Sequence, residues 1–470
     1  MGRENIIVKR IYYVVKLSLC SPLALSGGNS ESTDMDVLRN GKGELFIPGT
    51  SLAGAFRSYL EEKKNTKGLF GYADGEEGAM SSIHISDVYF DTRPIVSVRD
   101  GVQLNINKTV ENKFDMEIIE PGVNGKLYVE YVLREKDLKD NLKNDSGNKK
   151  EKNPENEFAA IIEGINDGAI RLGGNKNRGF GRLRAEKIWQ NIFEAENVEE
   201  WIDFCKNGHD ASACSEGEDC VSWLTGYLNK HNDTLNTPEY IRYSIPLRLT
   251  GGISIRRYSV QPDKADFEHI TCHMNPADPE HSAKPIIPGT SWNGAIRADI
   301  KDILDRLGCS DKKIRKLINY WFGYVDVNDE PKEENPSARQ SMVVFGESIL
   351  EGGTDVPITR NKINRFDSST IESALYSEIT HCGGETTLEI MIRAGRKSER
   401  QNWKYALALL AMLQLVAQDI AKGYLAVGGQ TSIGRGIFTT AGEPTLSVAD
   451  DKDIWKKAQQ QLLEIIREEM

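Results

Sequence analysis

A glycine-rich loop occurs twice in the chain, and it limits the fold more than any other feature. Gly173-Gly174-Asn175-Lys176-Asn177-Arg178-Gly179-Phe180-Gly181 is matched by Gly428-Gly429-Gln430-Thr431-Ser432-Ile433-Gly434-Arg435-Gly436. All four glycines recur at one offset of 255 residues. A single loop of this kind is a weak signal, because glycine serves wherever the backbone needs positive φ. Two copies at one spacing, each closing half of the chain, imply an internal duplication and hence two similar modules.

A second repeat supports the first. Ile47-Pro48-Gly49-Thr50-Ser51 returns as Ile287-Pro288-Gly289-Thr290-Ser291, 240 residues on. Each copy opens a helix, with Thr or Ser as N-cap. Leu52, Phe56, Tyr59 and Leu60 share one face of the first helix, and Trp292, Ile296, Ile300 and Ile303 one face of the second. Alternating β-rich runs predict strands at 11–19, 82–90, 126–133 and 182–189, then at 243–249, 341–345 and 388–392. Helices are expected over 158–165 and 405–421. Stretches opening at Arg99 and at Thr359 read as hairpin excursions. Each half therefore reads β-α-β-β-α-β, the ferredoxin-like order of an α+β fold. The expected modules are residues 1–191 and 238–445. Residues 192–237 read as a linker, 135–157 as a charged solvated insertion, and 446–470 as an amphipathic helix docked on its own module.

Composition narrows the class. With 39% hydrophobic and 27% charged residues the chain is globular in type, and its net charge of −11 argues against a simple polycation that coats nucleic acid. Seven cysteines, an odd number, argue against a disulfide framework. No apolar run approaches the roughly 18 residues of a membrane span, so no membrane partner is expected and the expected address is cytoplasmic.

The motifs together resemble the RAMP superfamily of CRISPR effector proteins. The likeness lies in a strand, a polar loop, Ile-Pro-Gly-Thr-Ser-x-x-Gly-Ala-x-Arg on a helix, and a late Gly-Gly-x-x-x-x-Gly-x-Gly loop, all twice over. The chain looks like a tandem fusion of two backbone (Cas-seven type) subunits of a type III complex. That resemblance implies two ferredoxin-like (RRM-like) RAMP domains with β-hairpin thumb insertions, lying along a guide crRNA among other type III CRISPR effector subunits. It also implies metal-dependent cutting of a complementary target RNA, with Mg2+ or a similar divalent ion, from an aspartate in the polar loop after each first strand. Carried over to this chain, that residue is Asp34, with Asp36 as rival, and Asp266, with Asp278 as rival.

Residue chemistry adds candidates of its own. A helix N-terminus is a ready phosphate site, and Thr50, Ser51, Thr290 and Ser291 add hydroxyls there. Arg57 and Arg297 lie two turns into those helices. Lys176, Asn177 and Arg178 furnish the first glycine loop with charge and donors, and Arg435 the second. Arg99, Arg360, Asn361 and Lys362 at the excursions suit contacts to phosphates, as does Arg39 in the polar loop. Neither glycine loop ends in Gly-Lys-[Ser/Thr], which excludes a P-loop nucleotide hydrolase. Cys205, His209, Cys214 and Cys220 offer four ligands within sixteen residues, suited to a structural zinc. His269, Cys272, His273 and His281 form a looser cluster. Three functions stay open: an RNA-guided endoribonuclease subunit, the same scaffold without cleavage, and a pre-crRNA processing ribonuclease.

Overall fold

The computed structural model describes residues 6–28, 33–61, 69–74, 77–104, 110–135, 154–206, 208, 210–213, 216–231, 239–258, 265–279, 281–325, 338–371, 374–395, 400–447 and 453–468. The chain packs as two compact units. The first comprises Met1–Lys176, Phe180–Thr237 and Met274–Pro279, and the second Asn177–Gly179, Pro238–His273 and Glu280–Met470.

The first unit contains β1 (Ile7–Leu19), α1 (Gly49–Glu61), β2 (Ile83–Ile85), β3 (Val96–Leu104), β4 (Val110–Ile119), β5 (Asn124–Arg134), α2 (Pro154–Asn166), β6 (Leu183–Glu194), α3 (Val198–Lys206) and α4 (Cys220–His231). The second contains β7 (Glu239–Leu249), α5 (Gly289–Arg306), α6 (Asp311–Phe322), β8 (Val343–Phe345), β9 (Thr354–Arg360), β10 (Tyr376–Cys382), β11 (Glu385–Gly395), α7 (Arg400–Ala421), β12 (Phe438–Thr440) and α8 (Ile454–Arg467). Short strands of two to five residues lie between these.

Both main sheets are antiparallel with the ferredoxin-like order. In the first unit β1 lies between β6 and β5, with β2 beyond β5. In the second β7 lies between β12 and β11, with β8 beyond β11. Tyr13 faces Val129 across one ladder and Gln190 across the other. The excursions are hairpins, β3–β4 and β9–β10, which stand outside the main sheets.

Alternation along β1 sends Tyr13, Val15 and Leu17 into the core beneath α1 and α2. Tyr12 and Val14 point the other way and are equally buried, packed with Phe193, Phe204 and Ala211. Here residues 192–237 depart from the linker expectation. Helix α3 covers the second face of the sheet, while Cys220, Trp223 and Tyr227 of α4 join the main core beside Phe158. The aromatics are spaced too widely in sequence to read as a core, and each helix buries its own against a different face of the sheet. The designated helix docks as expected: Ile454, Ala458, Leu462 and Ile465 of α8 are buried against the second core. Each of the isoleucine and leucine side chains contributes roughly 1.5–3 kcal/mol on burial.

One expectation about membranes changes. Gln401–Ala421 is long and apolar enough to cross a membrane, although more than half of it is buried inside the second unit. Helix α7 earns its apolar length as a core element, with Leu409, Leu410, Met412 and Leu413 all buried.

The glycine loops fold identically. Leu172 N–H donates to Gly181 O (3.0 Å), and Gly181 N–H to Pro22 O (2.8 Å). In the repeat Val427 N–H donates to Gly436 O and Gly436 N–H to Gly252 O, both at 2.9 Å. Gly174 N–H reaches Ala24 O and Gly429 N–H reaches Ser254 O, at 2.8 and 2.7 Å. A Cβ on Gly181 would lie 1.9 Å from Leu172 O, and one on Gly436 1.8 Å from Val427 O, with φ of +71° and +68°. The close approach that needs glycine is thus to the protein's own backbone. Gly181→Ala and Gly436→Ala are each expected to cost about 2–4 kcal/mol, combining positive-φ strain with a backbone clash. Urea unfolding of the two variants checks this; a loss below about 1 kcal/mol for either would show that the loop relaxes.

Candidate nucleic-acid interface

The polar loop of the first unit is stitched to β4, the returning strand of its hairpin. Asp34 N–H donates to Asp115 Oδ1 (2.8 Å), and Asp115 N–H donates back to Asp34 Oδ2 (3.1 Å). Glu117, two residues on and so on the same side of the strand, accepts from Val37 N–H (3.1 Å) and pairs with Arg39 (3.5 Å). Asp34 is exposed. Asp36 instead accepts from the Thr33 hydroxyl within its own loop.

The second unit repeats this frame from a loop of different length and sequence. Asp266 N–H donates to Ser377 Oγ (3.2 Å). Ser377 N–H and Oγ donate to Asp266 Oδ2 at 2.7 and 3.1 Å. Ser377 lies in β10, the returning strand of the second hairpin, and Asp266 is also exposed. Its rival Asp278 lies in Met274–Pro279, which belongs to the first unit. Nothing in the sequence marks Asp115 or Ser377 as partners, since they stand 81 and 111 residues from the aspartates they hold.

Two hydrogen bonds hold the Asp266 carboxyl below its ordinary value, the backbone N–H of Ser377 first and its hydroxyl second. A carboxyl whose folded value lies below its unfolded one adds stability above the ordinary carboxylate range. That contribution is lost as pH falls through the depressed value. Ser377→Ala removes the hydroxyl and should move Asp266 toward the ordinary value in a side-chain NMR titration. An unchanged titration would mean that the tether is not made in solution.

The remaining predicted residues divide by environment. Thr50 and Thr290 are exposed at the helix starts, Ser51 and Ser291 half-buried. In the first unit the Gly49 N–H is already taken by Asp87 Oδ1 (2.7 Å), so a phosphate there would meet a carboxylate. The opener glycines also answer a packing need: a Cβ on Gly49 or Gly289 would lie 2.5 Å from the carbonyl of Ile85 or Phe345. Arg57 is half-buried, and Arg297 lies 6.0 Å from the Phe322 ring centroid. Lys176 is exposed, whereas Asn177 and Arg178 are half-buried and pack with the second unit. Burial, and then the neighbouring Arg297, lower the Arg178 guanidinium from its ordinary value. Asn361 and Lys362 are exposed at the second hairpin's turn.

Arg99 contradicts its expected role as a surface contact. It is 6% exposed and pairs with the buried Glu120 (3.6 Å) at the hairpin base. Arg360 and Arg435 are likewise engaged, both with the buried Glu378. Arg256 and Gln430, which sequence reading did not single out, also bond to Glu378.

Of the presumed zinc ligands, His209 and Cys214 lie outside the described residues. Cys205 sits on α3, half-buried. Cys220 is a fully buried core side chain, and burial pushes its thiol up to about 12. In the looser cluster, His269 is buried and its Nε2–H donates to Ile286 O (3.0 Å). Burial and the neighbouring His381 lower it to about 4, which leaves it neutral.

Two stretches of the chain, residues 16–184 and 273–439, match the family model of the RAMP superfamily. They cover well over half of the chain, one in each ferredoxin-like module. Among curated proteins no sequence matches the chain. On the duplicated fold and this double match, the chain belongs to the RAMP superfamily, and its family-level character is that of a CRISPR-associated RNA-binding subunit.

Proposed function

We propose that the chain is a cytoplasmic guide-RNA-binding backbone subunit of a type III CRISPR effector complex, and that it cuts complementary target RNA from a loop aspartate in each module. The supporting observation is the repeated frame. Asp34 and Asp266 come from dissimilar loops, yet each is exposed and held by reciprocal hydrogen bonds to the returning strand of its hairpin. A preorganised, exposed carboxylate beside a hairpin suits proton transfer at a bound RNA strand.

In this reading the carboxylate accepts the proton of a 2′-hydroxyl. The O2′–P bond forms as the P–O5′ bond breaks, and the departing 5′-oxygen takes a proton from water. A cyclic 2′,3′-phosphate and a 5′-hydroxyl remain. The donor set fits a magnesium-like ion as a partial site. Among the described residues no group of three or more His, Cys, Asp or Glu gathers to hold a metal. Such ions are commonly held by one or two carboxylates, completed by substrate phosphate and water. Asp34 with Asp115, or Asp266 alone, would hold it, and bound there it would supply positive charge to the phosphate under attack.

The competing reading is a scaffold in which these aspartates serve only as tethers. Asparagine separates the two, because it still accepts the tethering N–H but cannot take a proton. In the assembled complex, Asp34→Asn and Asp266→Asn should each abolish one set of regularly spaced cuts, by about 100-fold or more, with guide and target binding unchanged. Mapping the ends of labelled target RNA checks this. Cuts that persist in both variants would leave the tethers as structural devices only.

A further inference from the structure

The two units diverge at one equivalent point. In the first, Asn175 of the glycine loop donates to Met116 Sδ (3.4 Å). Met116, Ile118 and Phe180 form a small buried apolar cluster with Ala24 and Phe114 around it. In the second, Gln430 occupies the Asn175 position and donates to Glu378 Oε2 (3.1 Å). Arg435 stands where Phe180 does, at the same 255-residue offset. Met116 follows the tether residue Asp115, and Glu378 follows the tether residue Ser377. Two independent registers therefore equate the apolar cluster with the ionic one.

Glu378 is 2% exposed and is met by three guanidinium groups: Arg256 at 2.8 Å, Arg360 at 3.2 Å and Arg435 at 4.0 Å. Among the described residues no second carboxylate pairs with these three arginines. The cluster thus gathers two positive charges in excess around a buried carboxylate, a surplus that attracts an anion to its rim. The outward ends of Arg256 and Arg360 remain accessible, with side chains 34% and 27% exposed. Arg256 is also set against the rings of Phe267 (4.7 Å) and Tyr376 (5.7 Å), which fixes its plane. Planar, immobilised guanidinium groups suit a phosphate better than a mobile lysine would.

We propose that this arginine cluster binds one phosphodiester of bound RNA, and that the first module has no counterpart. The inference rests on the RNA-binding reading above. Strand alternation puts Glu378 on the opposite face of β10 from Ser377 and Asp266. The cluster is therefore a grip on the strand and takes no part in bond breaking. The two modules hold RNA unequally.

The test is the salt dependence of affinity of the full chain for a fluorescein-labelled oligouridylate. One single-strand phosphate contact contributes about 0.7 to the slope of log affinity against log salt. Arg256→Gln with Arg360→Gln should lower the slope by about that amount, and Met116→Leu should leave it unchanged. Glu378→Gln removes the neutralising charge without changing size, and should tighten binding. It also keeps the proposal open to refutation if the double arginine variant fails to fold. If the unmodified chain binds the probe and neither the double variant nor Glu378→Gln changes affinity or slope, the cluster serves another partner, such as an acidic protein surface, and the proposal fails. If the unmodified chain does not bind the probe at all, the RNA-binding reading fails first and takes the proposal with it.

Discussion

The clamp between each glycine loop and the segment after the first strand is the constraint on which both modules depend. Backbone N–H groups of Gly181 and Gly436 reach carbonyls at Pro22 and Gly252, while Leu172 and Val427 bond back across the turn. The clamp ties the end of each module to its beginning. It thereby sets where the polar loop leaves the sheet, and so where Asp34 and Asp266 can be carried. No side chain can replace hydrogen there, because the facing carbonyls stand closer than any Cβ allows. The glycines of each loop serve close approach to the protein's own backbone.

Around this shared frame the modules differ in what fills the space. The first closes the junction of glycine loop and hairpin with Met116 and Phe180, the second with Glu378 and its arginines. An apolar junction is stabilised by exclusion of water and is indifferent to salt. An ionic one with surplus positive charge depends on its surroundings and invites an anion. Duplication preserved the backbone hydrogen bonds and let the side chains at their centre change character.

The two aspartates share a long-range tether. Each polar loop is irregular, and a lone aspartate in such a loop is ordinarily solvated or a turn former. What distinguishes Asp34 and Asp266 is reciprocal bonding to a strand more than 80 residues away. Asp36, two residues from Asp34, accepts from the Thr33 hydroxyl within its own loop.

The sequence by itself determined the duplication and the element order. These follow from local periodicity and from glycines whose spacing survives in both copies. The docking of α8 was legible for the same reason, since its apolar positions share one helical face. Only the tertiary structure decided that residues 192–237 belong to the first core, because Phe204, Trp223 and Tyr227 lie on two helices that cover different faces of one sheet. It alone put Arg99 in a buried ion pair and gathered three arginines on Glu378. Charge in a sequence has no direction, and whether an arginine faces solvent or a buried carboxylate is settled by strand register between segments distant along the chain.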